Sequence, residues 1–542
     1  MTSEGVIGGQ WDYVIVGGGT AGCVLANRLS VNPKIKVLLL EAGGSDRTIR
    51  TEIPLLLSYA LGHPAFDWGW ISQPEPHLDQ RRLALPRGRI LGGSSTINGM
   101  VYVRGHAFDF DTWRDLGNDG WGWRDVLPYF IRSEAAQGAP QPGHGQAGEW
   151  AISDPGVRWD PLDAYIEAAV AAGIPATADY NSGENEGVAY FRAAVKNGRR
   201  QSTAKAFLRP VRNRPNLTVW TGAEVARLIV EGRAVTGVEL IHGGTRRRVG
   251  AAREVILSAG AYASPALLER SGIGAPGRLG PLGIGVVHAL PGVGENLQDH
   301  WQVRIQHKLQ NTTTLNQWVN NYALRMLMGA RYVLTRTGPL AGPPALLAAF
   351  ARTRPDLPAP DLQVHVMAAS YGRVGGPMDP FSGITSSVSL LRPDSRGTVH
   401  IKSKNDFEQP DIKHKFLESG GDAAAAQEAV NLIRRIAAQP QMARYAPEEI
   451  APGRAVTGTD EIMDYVRQVA STTFHPVGTC KMGQDPMAVV APDLRVHGLT
   501  GLRVADASIM PVITSGNTAA PVVMIAEKAA DLILGVSPPP AA

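Results

Sequence analysis

Short apolar runs and one regular apolar face organise the start of the chain. Residues 13–16 and 37–40 are continuous apolar runs, which are typical of buried parallel strands. Between them, residues 20–29 repeat apolar side chains with the spacing of one helix face. The pattern predicts a strand, a helix and a second strand, with Glu41 at the end of the second strand.

A later region alternates apolar and polar residues with the period of a half-buried strand, and glycine turns such as Gly243-Gly244 interrupt it. We expect antiparallel strands there. The candidates are residues 217–221, 225–230, 235–242 and 255–258.

Four further segments have periodic patterns. Residues 361–367 alternate like a half-buried strand, and strands are also expected around a turn within residues 384–401. Helical spacing predicts a helix over residues 422–437 and another over residues 316–337, which is interpreted as a core helix.

Gly17, Gly19 and Gly22 follow the first predicted strand and satisfy the pattern G-x-G-x-x-G. The first glycine permits a tight turn, the second lets the backbone approach a pyrophosphate, and the third lets the helix pack closely on the strand. N–H groups at the start of that helix would face the phosphates. Glu41 can accept hydrogen bonds from ribose hydroxyls and would repel a 2′-phosphate. The motif therefore predicts a site for FAD or NAD rather than NADP.

Length and composition set the broad class. The 542 residues exceed one ordinary core, so two or more domains are expected. Hydrophobic residues make up 44% and charged residues 19%, as in a folded globular protein. The net charge is only +4 and no dense basic run occurs, so nucleic-acid binding is not expected. The short runs Arg199-Arg200 and Arg246-Arg247-Arg248 are interpreted as solvated.

Cys23 and Cys480 are the only cysteines, and they lie in separate motifs. A disulfide framework is therefore not expected, and a reducing compartment such as the cytoplasm is favoured. No signal peptide is recognised, and no apolar run reaches the length of about 18 residues that a membrane span needs.

A candidate base lies near the end of the chain. His475 precedes Pro476, which disfavours helix at the histidine. Histidine suits proton transfer near neutral pH because its ordinary pKa is about 6.5. From the residues alone, a His-Pro pair is more typical of a structural turn. The Gly/Ser-rich segment 88–98 also has two interpretations, a backbone close to a flat ligand or a surface turn.

Five segments resemble the signatures of the glucose-methanol-choline (GMC) flavoprotein oxidoreductases, and the likeness covers nearly the whole chain. They are residues 88–105, 260–274, 292–300, 504–511 and 517–521. The resemblance implies FAD as the dinucleotide and a fold that joins an α/β, Rossmann-like domain to an α+β cap with an antiparallel sheet. The implied FAD-binding domain comprises residues 1–160, 215–305 and 470–542, and the implied substrate-binding cap comprises residues 161–214 and 306–469.

The same resemblance implies a catalytic pair. His475 matches the family base that takes the hydroxyl proton, while the hydride passes to N5 of the flavin. Asn517 matches the second member, whose amide would hold the substrate oxygen. The other role considered for Asn517, which is compatible with the first, is the N-cap of a helix over residues 518–531. His300 is interpreted as structural and Cys480 as a small packing residue.

Cofactor contacts can be carried over residue by residue. Ile97 stands where some relatives have a histidine bonded covalently to FAD, so non-covalent FAD is expected, and no metal site is expected. The implied FAD-binding residues are Gly17, Gly19, Thr20, Ala21, Gly22, Glu41, Ala42, Leu91, Gly93, Ser94, Asn98, Gly99, Val101, Val225, Ala259, Asp506, Ala507 and Thr518.

The implied reaction oxidises a primary alcohol to the aldehyde and passes the electrons to a quinone-like acceptor. An alcohol oxidase using O2, a sugar or choline dehydrogenase, and a non-redox lyase or decarboxylase are the alternatives. His365 and Phe474 are the candidate substrate contacts, and the apolar stretch 338–350 favours an apolar or ether-like chain. With a quinone acceptor, contact of residues 316–337 with the inner face of the membrane is the alternative to the core interpretation of that helix.

Overall fold

Two seven-stranded sheets organise the computed structural model, which describes residues 11–372 and 376–539. The predicted domain ranges also include residues 1–10, 373–375 and 540–542, which lie outside the described residues. The domain boundaries stay a prediction, and the one between residues 305 and 306 falls inside strand Trp301–Lys308.

The first sheet contains the predicted strand–helix–strand unit. Strand Trp11–Val16, helix Thr20–Leu29 and strand Val37–Glu41 occupy the predicted positions, and the two strands are parallel. This confirms the Rossmann-like unit. The strand order is Leu217–Thr221, Val37–Glu41, Trp11–Val16, Thr245–Leu257, Ala234–His242 and Ala223–Glu231, with Leu502–Val504 beside Thr245–Leu257.

Antiparallel pairing holds for only part of residues 217–257. Ala223–Glu231, Ala234–His242 and the first half of Thr245–Leu257 are antiparallel. Leu217–Thr221 lies parallel to Val37–Glu41, and the second half of Thr245–Leu257 lies parallel to the first strand of the chain. The expectation was wrong for these two segments because the pattern along one strand does not give the direction of its neighbours.

The second sheet is antiparallel throughout, as expected for the cap. Its order is Glu448–Ala451, Trp301–Lys308, Gly383–Leu390, Leu362–Met367, Leu347–Ala351 and Gly187–Tyr190, with Ser471–Thr472 beside Trp301–Lys308.

Strand Leu362–Met367 is buried on both faces, so the half-buried expectation is wrong. Val364 belongs to a core shared with helix Gly420–Ala437, while Met367 on the other face belongs to a second core with Phe350. His365 alone is partly exposed within the strand. The polar residues of this strand therefore face the interior of the protein rather than solvent.

The remaining elements surround the sheets, and the predicted helix at residues 422–437 is confirmed as Gly420–Ala437. Further α-helices are Ile49–Glu52, Ala107–Asp115, Trp123–Ser133, Asp160–Ala171, Gly260–Arg270, Pro276–Leu279, Thr459–Val469 and Ala519–Leu534. Short strand pairs are Trp70–Ile71 with Ala84–Leu85, Glu134–Ala136 with Trp150–Ile152, Val195–Lys196 with Arg199–Arg200, Ile273–Gly274 with His288–Ala289, and Thr398–His400 with Asp411–Lys413.

Residues 316–337 form two helices, Leu315–Asn320 and Tyr322–Thr335, separated by Asn321, whose side chain accepts a hydrogen bond from the N–H of Leu324. In the second helix only Met328 and Tyr332 are buried. The core interpretation is therefore wrong for this helix. Its large exposed apolar side chains are Tyr322, Met326, Leu327, Val333 and Leu334.

Candidate active site

A cavity of about 450 Å³ is lined by residues of both sheets. At one end it is lined by the glycine turn and the carboxyl ends of the first-sheet strands, and at the other by His475, Asn517 and His365. Ligands bind at such carboxyl ends in open parallel sheets. One continuous cavity thus connects the predicted dinucleotide turn to the predicted catalytic pair.

Two glycines of the turn are required by close backbone packing. Gly17 has a φ of +103°, and a Cβ there would lie 2.5 Å from the carbonyl oxygen of Ser258. A Cβ at Gly22 would lie 1.9 Å from the carbonyl oxygen of Gly17. Helix Thr20–Leu29 has no side-chain cap, so the N–H groups of its first turn remain available toward the cavity, as a phosphate needs.

Glu41 lies at the end of its strand, where the motif predicts it. Its carboxylate accepts hydrogen bonds from the N–H groups of Gly18 (2.9 Å) and Gly43 (2.7 Å). Burial raises the pKa of Glu41 to about 7, against the effect of these two hydrogen bonds. A carboxylate has about four acceptor sites, so capacity for ribose hydroxyls remains.

His475 and Asn517 are 42 residues apart in sequence and in contact in the structure. Nδ2 of Asn517 lies 3.1 Å from Nε2 of His475. Because an amide NH2 only donates, Nε2 of His475 is the acceptor and carries the lone pair. Oδ1 of Asn517 accepts from Nε2 of Gln363 at 3.2 Å and lies 3.3 Å from Nε2 of His365. The side chain of Asn517 therefore orients the imidazole.

The helix-cap alternative for Asn517 is wrong. The helix begins at Ala519, its N-cap is Thr518, and no side chain caps it. The Asn517 side chain points instead to the histidines.

His300, interpreted from the sequence as structural, belongs to this group. Its Nδ1 lies 3.0 Å from Nδ1 of His475, and Oγ1 of Thr473 lies 3.1 Å from the same atom. With Nε2 as an acceptor, neutral His475 carries its proton on Nδ1, directed at these two neighbours. The sequence feature that could have indicated this role is the position of His300 at the end of the family-like segment 292–300.

Burial keeps these histidines neutral. It lowers the pKa of His475 well below its ordinary value, and any charge on His300 or His365, together with the charge of Arg87, lowers it further. Burial also lowers the pKa of His300 and of His365, each to about 4. At neutral pH the Nε2 lone pair of His475 is therefore available to accept a proton.

The GMC oxidoreductase family model matches residues 11–302 and 393–526. The chain belongs to the GMC oxidoreductase family. Proteins of this family are flavoproteins that use FAD.

Individual relatives of this GMC oxidoreductase span nearly its whole length. An oxygen-dependent choline dehydrogenase from Photobacterium profundum is 43% identical over 535 residues, which cover 97% of this chain and 94% of that protein. Pyridoxine 4-oxidase from Mesorbium loti is 33% identical, with a TM-score of 0.87 and coverage of 96% and 98%. A variant of formate oxidase from Aspergillus oryzae RIB40 is 26% identical, with a TM-score of 0.90 and coverage of 98% and 99%. These likenesses confirm the predicted GMC fold.

Of the implied FAD-binding residues, all but Gly22 and Leu91 line the cavity of this GMC oxidoreductase. Gly22 packs under the turn against Gly17, and Leu91 approaches the turn at Gly18. Gly22 and Leu91 therefore support the shape of the turn but do not line the cavity. The role of the others in binding FAD stays a prediction.

Arg200 was missed by sequence reasoning, which interpreted it as solvated. It is only 2% exposed, and burial lowers its pKa. Its Nη1 donates to the backbone oxygen of Asn98 (2.6 Å) and to Oδ1 of the same residue (2.9 Å), while its Nε donates to the backbone oxygen of Thr51. Arg200 thus fixes Asn98 at the cavity wall, an arrangement that no local pattern encodes.

The candidate substrate contacts, His365 and Phe474, both line the cavity. Phe474 has a φ of +69°, a strained value for a bulky residue, and its N–H is held by Oγ1 of Thr472 at 2.6 Å. Its carbonyl oxygen accepts a hydrogen bond from Nη2 of Arg87. This strained backbone lies directly before His475 and helps to fix its direction.

Cys480 does not line the cavity. It is fully buried, and burial raises the pKa of its thiol, as suits a packing residue.

Within residues 11–372 and 376–539, no cluster of side chains suited to a metal ion is found. No helix in that part of the chain is long and apolar enough to cross a membrane.

Proposed function

We propose that this GMC oxidoreductase oxidises a primary alcohol to the aldehyde with FAD as the cofactor. The observation that carries the proposal is the contact between Nε2 of His475 and the Asn517 amide at the wall of a cavity that continues to the glycine turn. A neutral imidazole whose Nε2 carries no proton is suited to take the hydroxyl proton.

The residues of the cavity fit FAD. The uncapped helix start at Thr20 and the missing side chains of the turn suit a pyrophosphate, and Glu41 suits a ribose. Bound FAD supplies the acceptor for the hydride.

We propose that FAD is held non-covalently, since Ile97 offers no nucleophile and neither cysteine lines the cavity. Acid precipitation is expected to release the yellow cofactor into the supernatant, and colour that stays with the pellet would contradict this.

In the proposed mechanism the protein holds and deprotonates the alcohol. The Asn517 amide, which donates to Nε2 of His475 in the structure, would transfer this hydrogen bond to the alcohol oxygen on which negative charge develops, and Nε2 would then accept the hydroxyl proton. The resulting imidazolium donates through Nδ1 to His300 or Thr473. Arg87, which lowers the pKa of His475, is a nearby positive charge that favours the alkoxide.

For the electron acceptor we propose a quinone-like molecule reached at a membrane surface. Helix Tyr322–Thr335 supports this, since it exposes five large apolar side chains and carries Arg325 and Arg331. Co-sedimentation with anionic phospholipid vesicles is expected, and the double substitution Met326→Gln/Leu334→Gln should abolish it. Val31→Gln/Val287→Gln, which also removes exposed apolar side chains, is the control. Equal binding by both variants would contradict the membrane contact.

Oxygen is the alternative acceptor, and the likeness to pyridoxine 4-oxidase and formate oxidase favours it. The test is anaerobic mixing of the purified yellow protein with primary alcohols, sugars, aldehydes and choline, while the visible flavin absorbance is followed. Bleaching by an alcohol would support the proposed reaction. Rapid return of colour in air would identify an oxidase, and return only with a quinone would identify a dehydrogenase. Failure of every alcohol to bleach the flavin would leave a lyase or decarboxylase as the better assignment.

A further inference from the structure

Arg304 is a half-buried cation of the cavity wall, and in the part of the chain that the structure describes it has no carboxylate partner. Its guanidinium lies over the ring of Tyr371, with Cζ 5.9 Å from the ring centroid, and its buried Nε has no hydrogen-bond partner there. The two other cavity arginines, Arg87 and Arg270, donate to backbone carbonyls. A guanidinium has five donors, and a buried charge is costly unless it is paired. Arg304 therefore has the capacity to bind an anion from the cavity.

The strand register places Arg304 in one row with the catalytic group. Arg304 is opposite Ser387, which in turn is opposite His365, and all three line the cavity. Adjacent strands are about 4.8 Å apart, so the backbones of Arg304 and His365 are roughly 10 Å apart. His365 lies 3.3 Å from Asn517. Arg304 thus lies on the same face of the sheet as His365, two strands away from the proposed site of deprotonation.

None of the four acidic residues that line the cavity lies on the second sheet. Glu41 accepts from backbone N–H groups, Glu224 pairs with Arg89, and Asp506 accepts from the N–H of Gly260. Glu408 accepts from the hydroxyl of Ser403. Among the described residues, none of the cavity-lining side chains of the second sheet is acidic. In the described part of the chain, Arg304 is thus the one fully charged side chain that the second sheet contributes to the cavity, and it favours a negative ligand.

We propose that Arg304 binds the anionic group of the substrate, and that the substrate is an alcohol bearing a carboxylate. Arginine recognises a carboxylate through two parallel hydrogen bonds. The cavity residues Pro344, Ala345 and Met367 provide apolar surface for the chain that joins the two groups. This inference rests on the proposed alcohol oxidation. It separates the chain from its choline-oxidising relatives, because choline is a cation.

The experiment compares three alcohols of one chain length with the FAD-loaded enzyme: an ω-hydroxyhexanoate, the corresponding diol and the corresponding amino alcohol. The expected order of kcat/KM is hydroxy acid, then diol, then amino alcohol. Arg304→Gln should reduce the preference for the hydroxy acid over the diol at least tenfold, as expected for about one charged hydrogen-bonded pair, and Arg304→Lys should restore part of it. Arg304→Glu should favour the amino alcohol.

Arg444→Gln is the matched control, since Arg444 also lies over a tyrosine, Tyr445, but is exposed and does not line the cavity. It should leave the order unchanged. Calorimetric binding of hexanoate, which has no hydroxyl to oxidise, should be seen with the wild type and lost in Arg304→Gln. Oxidation of the diol without preference for the hydroxy acid, or equal preference in Arg304→Gln, would overturn the anion site but leave the proposed reaction intact. If no alcohol is oxidised, the proposed reaction fails, and hexanoate binding alone then decides whether the anion site exists.

Discussion

The histidines on the two sides of Asp299 differ in charge: His300, His365 and His475 form one group, and His414 lies on the other side. His300 contacts the proposed catalytic group of His365, His475 and Asn517, in which burial lowers the pKa of every histidine. Asp299 faces the other group, in which His414 is as deeply buried but has the opposite shift.

His414 is charged because carboxylates lie within reach. Burial lowers its pKa, but Asp299 and Glu75 raise it to about 9. Oδ2 of Asp299 lies 3.5 Å from one ring nitrogen and Oε1 of Glu75 lies 3.6 Å from the other. The other carboxylate oxygen of Asp299 accepts the backbone N–H of His475.

The comparison shows which neighbours leave a buried histidine neutral, as a proton acceptor must be. Desolvation lowers the pKa of the histidines in both groups. For His414 the carboxylates of Asp299 and Glu75 outweigh desolvation, whereas for His300 the charge of Asp299 does not. Asp299 accepts a hydrogen bond from the backbone N–H of His475 rather than from its ring, so it positions the proposed base without favouring its protonation.

The largest effect is expected from His475→Gln. The variant keeps a polar side chain but loses the proton acceptor, so kcat/KM for the best alcohol should fall by roughly 10²–10⁴-fold. Flavin content and thermal midpoint should stay near those of the wild type. His307→Gln is the control because His307 is also buried with a pKa lowered to about 4, but it does not line the cavity. Equal losses in the two variants would exclude a specific role for His475.

His414→Gln should cost stability rather than activity. It would leave Glu75 and Asp299 buried without their cation, and breaking a buried ion pair costs about 3–5 kcal/mol. Since the folded pKa of His414 is raised to about 9, its contribution is complete below about pH 6.5 and is lost as the pH rises through about 9. The difference in thermal midpoint between wild type and variant should therefore shrink at alkaline pH. A difference that is independent of pH would contradict a charged His414.

Asn517→Ala removes the donor to the substrate oxygen and the partner of Nε2 of His475. Loss of one such donor typically lowers kcat by about 10²–10³-fold. Because Thr518, not Asn517, is the N-cap of the following helix, the thermal midpoint should change little. A large loss of stability with intact kcat would restore the capping role that the structure contradicts.

Local patterns predicted the parts of the molecule that local physics determines. The helix Thr20–Leu29 has the predicted bounds because a glycine turn precedes it and its apolar face is regular. His475 and Asn517 were named from the family resemblance, and the structure brings them within hydrogen-bond distance.

Tertiary contacts determine the features that the sequence patterns did not predict. Burial of Arg200 depends on contacts with Thr51 and Asn98, which are far away in the sequence. The direction of Leu217–Thr221 depends on the strand beside which it lies. Exposure of helix Tyr322–Thr335 depends on the absence of a covering element over its apolar side chains in the described part of the chain. None of these follows from the periodicity of one segment.

The smallest expected effect is a change in the pH profile when a carboxylate is placed beside His475, as carboxylates lie beside His414. A depressed pKa leaves His475 neutral and active above that pKa, so kcat/KM of the wild type should be constant from about pH 8 down to about pH 6.5 and fall only at lower pH. Asn517→Asp places a carboxylate beside Nε2, which favours the imidazolium and should move the midpoint of the acid limb upward by about 1–3 pH units. The matched comparison is Asn517→Ala, which lacks the charge and should keep the wild-type profile at a lower rate. An acid limb with a midpoint near pH 7 or above in the wild type, about the ordinary histidine value, would mean that burial does not keep His475 neutral.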